Sequence, residues 1–257
     1  MALIEQTLFG TVDKVKMAID WLREFEPEDG YYVAFSGGKD SVVILDLVKR
    51  AGVKYDAHYN LTTVDPPELV KFIRESYPGV EWHRPEKTMW ELIVENGMPP
   101  LRQMRYCCRI LKEGGGEGRF VVTGVRKAES YKRSGRRMVE PCNRSSSNTI
   151  YINPIIDWSD AEVWQYIREN GVDYCKLYDE GWKRLGCVLC PNANQQKQAR
   201  RWPKLAASYK RACVRAYQAG IERGKKYQAN WQSGEEMYDW WISGQGSTDY
   251  DQGVLFE

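Results

Sequence analysis

Histidine is nearly missing from this chain: His58 and His83 are the only two among 257 residues, which argues against any mechanism that needs several imidazoles. No apolar run approaches the ~20 residues of a membrane span, so no membrane partner is expected. The opening "MALIEQTLFG" lacks the basic head and apolar core of a secretory leader, and the expected location is cytoplasmic. No internal repeat or low-complexity linker divides the chain. Two familiar phosphate-binding signatures are also absent. Gly38-Lys39 is followed by Asp40, where a Walker A loop needs Ser or Thr, and there is no dinucleotide G-x-G-x-x-G.

What is present reads as a globular protein with a substantial core: 42% of residues are apolar and 28% charged. The formal charge of +2 hides a local bias taken up below, and seven cysteines in a cytoplasmic chain suggest metal or redox chemistry more than disulfides. Strand and helix signals alternate through the first two thirds. "YYVAF", "YDAHYN", "VEWHR", "RFVVTGV" and "TIYINPI" read as strands. A helix is expected over 41–50 with Gly52 just past its end, and another after Asp65-Pro66-Pro67-Glu68. Thr88 with Glu91 and Ser159 with Glu162 are capping boxes, the second opening a helix that stops near Gly171. The alternation predicts an α/β fold, a parallel sheet with helices on both faces. From about residue 194 the chain turns helical and basic, which suggests one domain over 1–193 and a helical extension packed on it over 194–257.

Between the first strand and its helix stand Ser36-Gly37-Gly38-Lys39-Asp40-Ser41. The glycines let backbone N–H groups approach an anion, and the helix start adds a positive dipole end. Ser36 and Ser41 offer hydroxyls and Lys39 a point charge. Asp40 suits orienting a donor or holding Mg²⁺. The plain alternative is a glycine-rich turn capped by serine.

This S-G-G-K-D-S stretch resembles the PP-loop of the ATP pyrophosphatases. "GVRKAESYKR" (124–133) and "INPIIDWSDAEVWQYI" (152–167) resemble two further signatures of the phosphoadenylylsulfate (PAPS) reductase family within that superfamily. The resemblance covers roughly residues 25 to 195 and implies an adenine nucleotide, ATP with Mg²⁺ or a sulfonucleotide. It places Ser36, Gly37, Gly38, Lys39, Asp40, Ser41, Gly124, Arg126 and Arg133 around that nucleotide, with Lys39, Asp40 and Arg126 in the chemistry.

Cys107-Cys108 and Cys187-Val188-Leu189-Cys190 form two pairs able to hold one soft metal centre, either tetrahedral zinc or a 4Fe-4S cube. Adjacent side chains on a helix diverge by about 100°, so both members of the first pair reach a broad cluster more easily than one compact ion. The arrangement also resembles the cluster-binding members of the family, including adenylylsulfate (APS) reductases, which implies a 4Fe-4S cluster on Cys107, Cys108, Cys187 and Cys190. Zinc and free buried thiols are the alternatives. Cys142, Cys175 and Cys213 lack partners at ligand spacing and read as packing.

Two family features are missing. The E-C-G-[IL]-H-like tail that carries the reductase nucleophile is absent, the last cysteine being Cys213, and so is the L-F-P-E-T stretch. Both departures favour an enzyme that cleaves ATP between its α and β phosphates, adenylates a substrate and supports sulfur transfer, as the DNA phosphorothioation enzymes of the family do. The alternatives are a PAPS or APS reductase with a non-standard nucleophile, and a non-catalytic nucleotide-sensing subunit that binds nucleic acid. From 197 to 226 there are ten Lys or Arg against Glu222 alone, interleaved with Trp202, Tyr209 and Tyr217. Such a face suits DNA or tRNA, with a solvated helix whose aromatics pack inward as the alternative. A sulfur-donor protein is a further expected partner.

Overall fold

A computed structural model describes residues 3–7, 10–142 and 148–244. In chain order it contains β1 (Ile4–Thr7), β2 (Gly10–Asp13), α1 (Lys14–Glu24), β3 (Tyr31–Ala34), α2 (Lys39–Ala51), β4 (Tyr55–Asn60), α3 (Pro67–Ser76), β5 (Glu81–His83), α4 (Met89–Asn96) and α5 (Tyr106–Leu111). There follow β6 (Phe120–Val122), α6 (Tyr131–Ser134), β7 (Val139–Pro141), β8 (Ile150–Ile152), α7 (Asp160–Asn170), α8 (Gln195–Arg201), α9 (Pro203–Glu222) and α10 (Gly234–Ser243). No described helix is long and apolar enough to cross a membrane.

The contacts divide the chain into two compact units. The first is Met1–Asn60, Pro67–His83 and Gly115–Leu185; the second is Leu61–Pro66, Arg84–Gly114 and Gly186–Glu257. This differs from a single cut after residue 193, because Arg84–Gly114 packs with the C-terminal helices. Trp90 on α4 meets the Tyr209 ring edge-on at 5.0 Å, Trp241 donates to the Pro100 carbonyl at 2.8 Å, and Gln228 donates to that of Gly97 at 2.7 Å.

The first unit holds a six-stranded sheet in the order β5-β4-β3-β6-β8-β7, parallel except for β7, which runs antiparallel to β8. Val33, Val122 and Ile152 in its centre are fully buried, as strands covered on both faces require. Helix α2 contributes Val42, Val43, Ile44, Leu47 and Val48 to the same core and ends at Gly52 in the left-handed region. Both capping boxes form, at Thr88 with Glu91 and at Ser159 with Glu162. The antiparallel β1–β2 pair and β7 have no counterpart in the strands expected from sequence. After β3 the chain steps outward to β4 and β5, then returns to place β6 on the other side of β3. The gap between the C-terminal ends of β3 and β6 is thus a topological switch point, where sheets of this kind bind ligands.

Candidate functional site

The loop after β3 lies at that switch point. Gly37 has φ +70°, and a Cβ there would stand 2.7 Å from Ile73 Cδ1 and 2.8 Å from Leu69 Cδ1 of α3, so only glycine fits. The Ser36 N–H donates to Ser41 Oγ at 3.2 Å, while the Ser41 hydroxyl donates to the Gly38 carbonyl at 2.9 Å. These bonds fold the loop over the first turn of α2. The Lys39 N–H at the helix start donates to the hydroxyl of Tyr178 at 2.9 Å. Burial pushes that phenol well above its usual range, so it stays a hydroxyl.

Four charged side chains meet around this helix start. Lys39, 6% exposed, places Nζ 3.2 Å from Asp40 Oδ2 and 3.0 Å from Asp160 Oδ1. Arg126, 2% exposed, donates from Nε to Asp40 at 2.7 Å, from Nη2 to Asp160 at 3.1 Å and from Nη1 to the Trp158 carbonyl at 3.1 Å. Partial burial opposes ionisation of Asp160, but the Lys39 bond and the charges of Lys39 and Arg126 prevail and hold its carboxyl below the usual range. Gly124, just past β6, permits the close approach: a Cβ there would lie 2.9 Å from Asp40 Cβ and 3.0 Å from its carbonyl carbon.

The structure therefore brings Ser36, Gly37, Gly38, Lys39, Asp40, Ser41, Gly124 and Arg126 together. Arg133 is paired with Glu129 on the next short turn, and Glu129 in turn accepts the Arg126 N–H at 2.9 Å. Sequence reasoning missed Asp160 and Tyr178. Asp160 carried a signal, an acid at the first position of a helix opened by Ser159; nothing local marks Tyr178. Both Asp40 and Asp160 are already bound by Lys39 and Arg126, so this pair is not a ready Mg²⁺ site.

In the second unit, Cys107 and Cys108 sit on α5 and Cys187 and Cys190 on the loop before α8. That loop is held at every turn. Val188 donates to the Val64 carbonyl at 2.8 Å and accepts from the Tyr209 hydroxyl at 3.0 Å. Leu189, at φ +58°, donates to Gln198 Oε1 at 2.7 Å and accepts from Gln195 at 3.2 Å. A non-glycine residue in the left-handed region costs roughly 1–2 kcal/mol, so the neighbours impose this bend. The Cys107–Cys108 hydrogen bond draws the Cys108 thiol down, against burial and with help from Lys112 and Arg105, and pushes Cys107 up. Partial burial raises Cys187, opposed by Lys112. Desolvation opposes charge on the Lys112 ammonium, but Cys187, Asp65 and Cys108 hold it above the usual lysine range.

All four sulfurs act on one another or on Tyr209, whose phenol is raised by burial and then by Cys187, Cys107 and Cys190. Yet among the described residues no three of these sulfurs lie mutually within 4.8 Å. Zinc–thiolate bonds of about 2.3 Å would set the sulfurs about 3.8 Å apart. As they stand, the four thiols are not gathered as tightly as one compact zinc ion would hold them. Cys175 and Cys213 are buried, in line with packing.

On the basic stretch, Lys197, Arg200, Lys204, Arg211, Arg215, Lys225 and Lys226 are exposed. Its aromatics turn inward: Trp202 and Tyr209 are buried, and Tyr217 donates to the Trp231 carbonyl at 3.0 Å. Two of the three expected stacking groups, Trp202 and Tyr209, are thus core residues, and Tyr217 is tied down by its hydroxyl.

The family model for the phosphoadenosine phosphosulfate reductase domain matches residues 30–193. An adenosine 5'-phosphosulfate reductase of Oceanobacillus iheyensis is 28% identical over 76% of this chain and 85% of its own length. An uncharacterised protein of Methanocaldococcus jannaschii is 33% identical over 67% of the chain, which spans only 39% of that relative. Among solved structures, a PAPS reductase from Candida auris in complex with phosphate is similar in fold, with TM-score 0.51 and 22% identity over 68% of this chain and 88% of that one. An FMN adenylyltransferase of Candida glabrata gives TM-score 0.50 and 16% identity over 68% of this chain and 61% of its own.

Proposed function

We propose, from the premise that this chain belongs to the phosphoadenosine phosphosulfate reductase family, that it cleaves ATP between the α and β phosphates to adenylate an acceptor and so prepares it for sulfur transfer. The observation that carries this reading is the Lys39 ammonium, fixed between Asp40 and Asp160 at the N-terminus of α2 behind a glycine loop. A nucleotide's phosphates would meet the helix dipole, this cation and the loop N–H groups other than those bound to Ser36, Ser41 and Tyr178. An acceptor oxygen then attacks the α-phosphorus, the bond to the bridging oxygen breaks, and pyrophosphate leaves. Lys39 and the loop N–H groups offset the charge gathering on the leaving group. Arg126 has a protein acceptor on each of its three nitrogens, so it acts by positioning Asp40 and Asp160. No step is assigned to Mg²⁺, which would arrive on the nucleotide's own phosphate oxygens.

Cys107, Cys108, Cys187 and Cys190 would hold a 4Fe-4S cluster, which when bound supplies electron- or sulfur-transfer chemistry. Lys112 would offset the negative charge of the thiolates. The exposed lysines and arginines of 197–226 suit a nucleic-acid acceptor bound through its phosphates, with strong salt dependence.

The test is pyrophosphate release from ATP by anaerobic protein, with and without DNA or tRNA. Lys39→Ala should weaken ATP binding by ~1–3 kcal/mol, the scale of a charge-assisted bond. Equal ATP affinity in the two proteins would place the pocket elsewhere. Sulfonucleotide reduction is the second reading, favoured by the APS reductase relative that aligns over 85% of its length. Against it, Cys213 is 0% exposed inside α9, where burial pushes its thiol up and away from the thiolate a nucleophile needs. Sulfite release from APS or PAPS with a thiol reductant would decide for it.

A further inference from the structure

The only two histidines of the sequence meet in the fold. Strands β4 and β5 are parallel neighbours with His58 opposite Glu81 and Asn60 opposite His83. Side chains two apart share a face, so His58, Glu81 and His83 emerge side by side. His58 Nδ1 lies 2.8 Å from His83 Nε2 and 3.3 Å from Glu81 Oε2, and the three ligand atoms all fall within 4.8 Å of one another. No other group of three or more His, Cys, Asp or Glu among the described residues gathers this tightly.

The far side of His58 is fixed. Its Nε2 is bound to Asp56, and Arg119 grips Asp56 with two bonds of 2.6 Å. The Tyr32 ring stacks on the imidazole at 4.0 Å and 6°. A carboxylate on Nε2 keeps the proton there and leaves the Nδ1 lone pair facing His83 and Glu81, the same support that orients metal-bound histidines. An imidazole lone pair, a second imidazole and a carboxylate then converge on one point. Without a cation between them, the Nδ1 lone pair faces the negative Glu81 oxygen. His58 is 7% exposed, while Glu81 is open to solvent, so the cluster is closed behind and open in front.

We propose that His58 Nδ1, His83 Nε2 and Glu81 form a mononuclear site for a divalent first-row metal of the zinc type, with solvent at the remaining position. Two imidazoles and one carboxylate select such ions over Mg²⁺ or Ca²⁺. Bonds of about 2.0–2.1 Å set two nitrogens about 3.3 Å apart on a tetrahedral ion, so the 2.8 Å contact opens by about half an ångström on loading. The metal would clamp the three-residue strand β5 to β4. His58 also accepts the Phe35 N–H at 2.9 Å through its carbonyl, so the clamp lies directly behind the loop that begins at Ser36.

Cobalt(II) distinguishes this site from the cysteine centre, because thiolate ligation adds an intense charge-transfer band that imidazole and carboxylate ligation lacks. Anaerobic protein with its cysteine centre intact, freed of loose metal by dialysis, is titrated with Co²⁺ and then Zn²⁺. One equivalent should bind with ligand-field bands and no thiolate band, and Zn²⁺ should displace it and raise Tm. His83→Ala and Glu81→Gln, both at side chains outside the core, should each weaken binding by about tenfold or more and remove the rise in Tm. Absence of saturable binding at one equivalent, a thiolate band, or wild-type affinity in both variants would overturn the assignment.

Discussion

Arg126→Met removes the guanidinium that ties the loop to α7 while keeping most of the side chain's volume. Three bonds are lost, to Asp40 at 2.7 Å, to Asp160 at 3.1 Å and to the Trp158 carbonyl at 3.1 Å. They are not equal. The Asp160 side chain is 65% exposed and keeps Lys39 at 3.0 Å, so its share is screened to about 0–1 kcal/mol. The Asp40 side chain is only 21% exposed, and its bond to the fully buried arginine is worth about 1.5–3 kcal/mol. The carbonyl left without its partner adds about 1 kcal/mol. The expected loss is therefore about 2.5–5 kcal/mol, comparable to the cost of breaking a buried pair. Urea unfolding followed by tryptophan fluorescence, under anaerobic conditions, reads this directly. Asp40→Asn and the double variant close a cycle whose coupling energy should be about 1.5–3 kcal/mol. A single-variant loss below about 1 kcal/mol, or a coupling indistinguishable from zero, would refute the view that Arg126 works by holding Asp40.

Gly37→Ala combines a left-handed backbone with a Cβ 2.7 Å from Ile73, and should cost about 2–4 kcal/mol and abolish nucleotide binding, read by urea midpoint and calorimetry. Cys187→Ser or Cys190→Ser should turn an iron- and sulfide-containing brown protein colourless; wild-type protein carrying one zinc and no iron would reject the cluster. Cys213→Ser should leave catalysis unchanged, because that thiol is buried in α9, and sulfite formation abolished by it would make the protein a reductase with a relocated nucleophile. Asp160 has a folded-state pKa below its ordinary 3.8, so the stability it contributes is complete above that value and is lost as pH falls through the lower one. Between pH 5 and pH 2 the urea midpoint should fall less steeply in Asp160→Asn than in wild type, and equal slopes would contradict the assignment.

Short-range patterns made much of this protein legible before its fold was known. The apolar run of β3, the S-G-G-K-D-S loop and the capping boxes at Thr88 and Ser159 are local, because strand burial, glycine freedom and helix caps depend on residues a few positions apart. The two cysteine pairs stand out by type and spacing, and the fold places all four in the second unit. Asp160 and Tyr178 were not legible, because each reaches Lys39 across more than a hundred residues, and only the return of the chain to the switch point brings them there. The inward turn of Tyr209 is decided by Trp90 of α4 and Trp241 of α10 packing against its ring, which no window of the basic stretch contains. His58 and His83 show the division most clearly. In the sequence they are two scattered histidines too few for a mechanism. In the sheet, the register of β4 on β5 sets them 2.8 Å apart beside Glu81, since strand pairing fixes neighbours that chain distance does not.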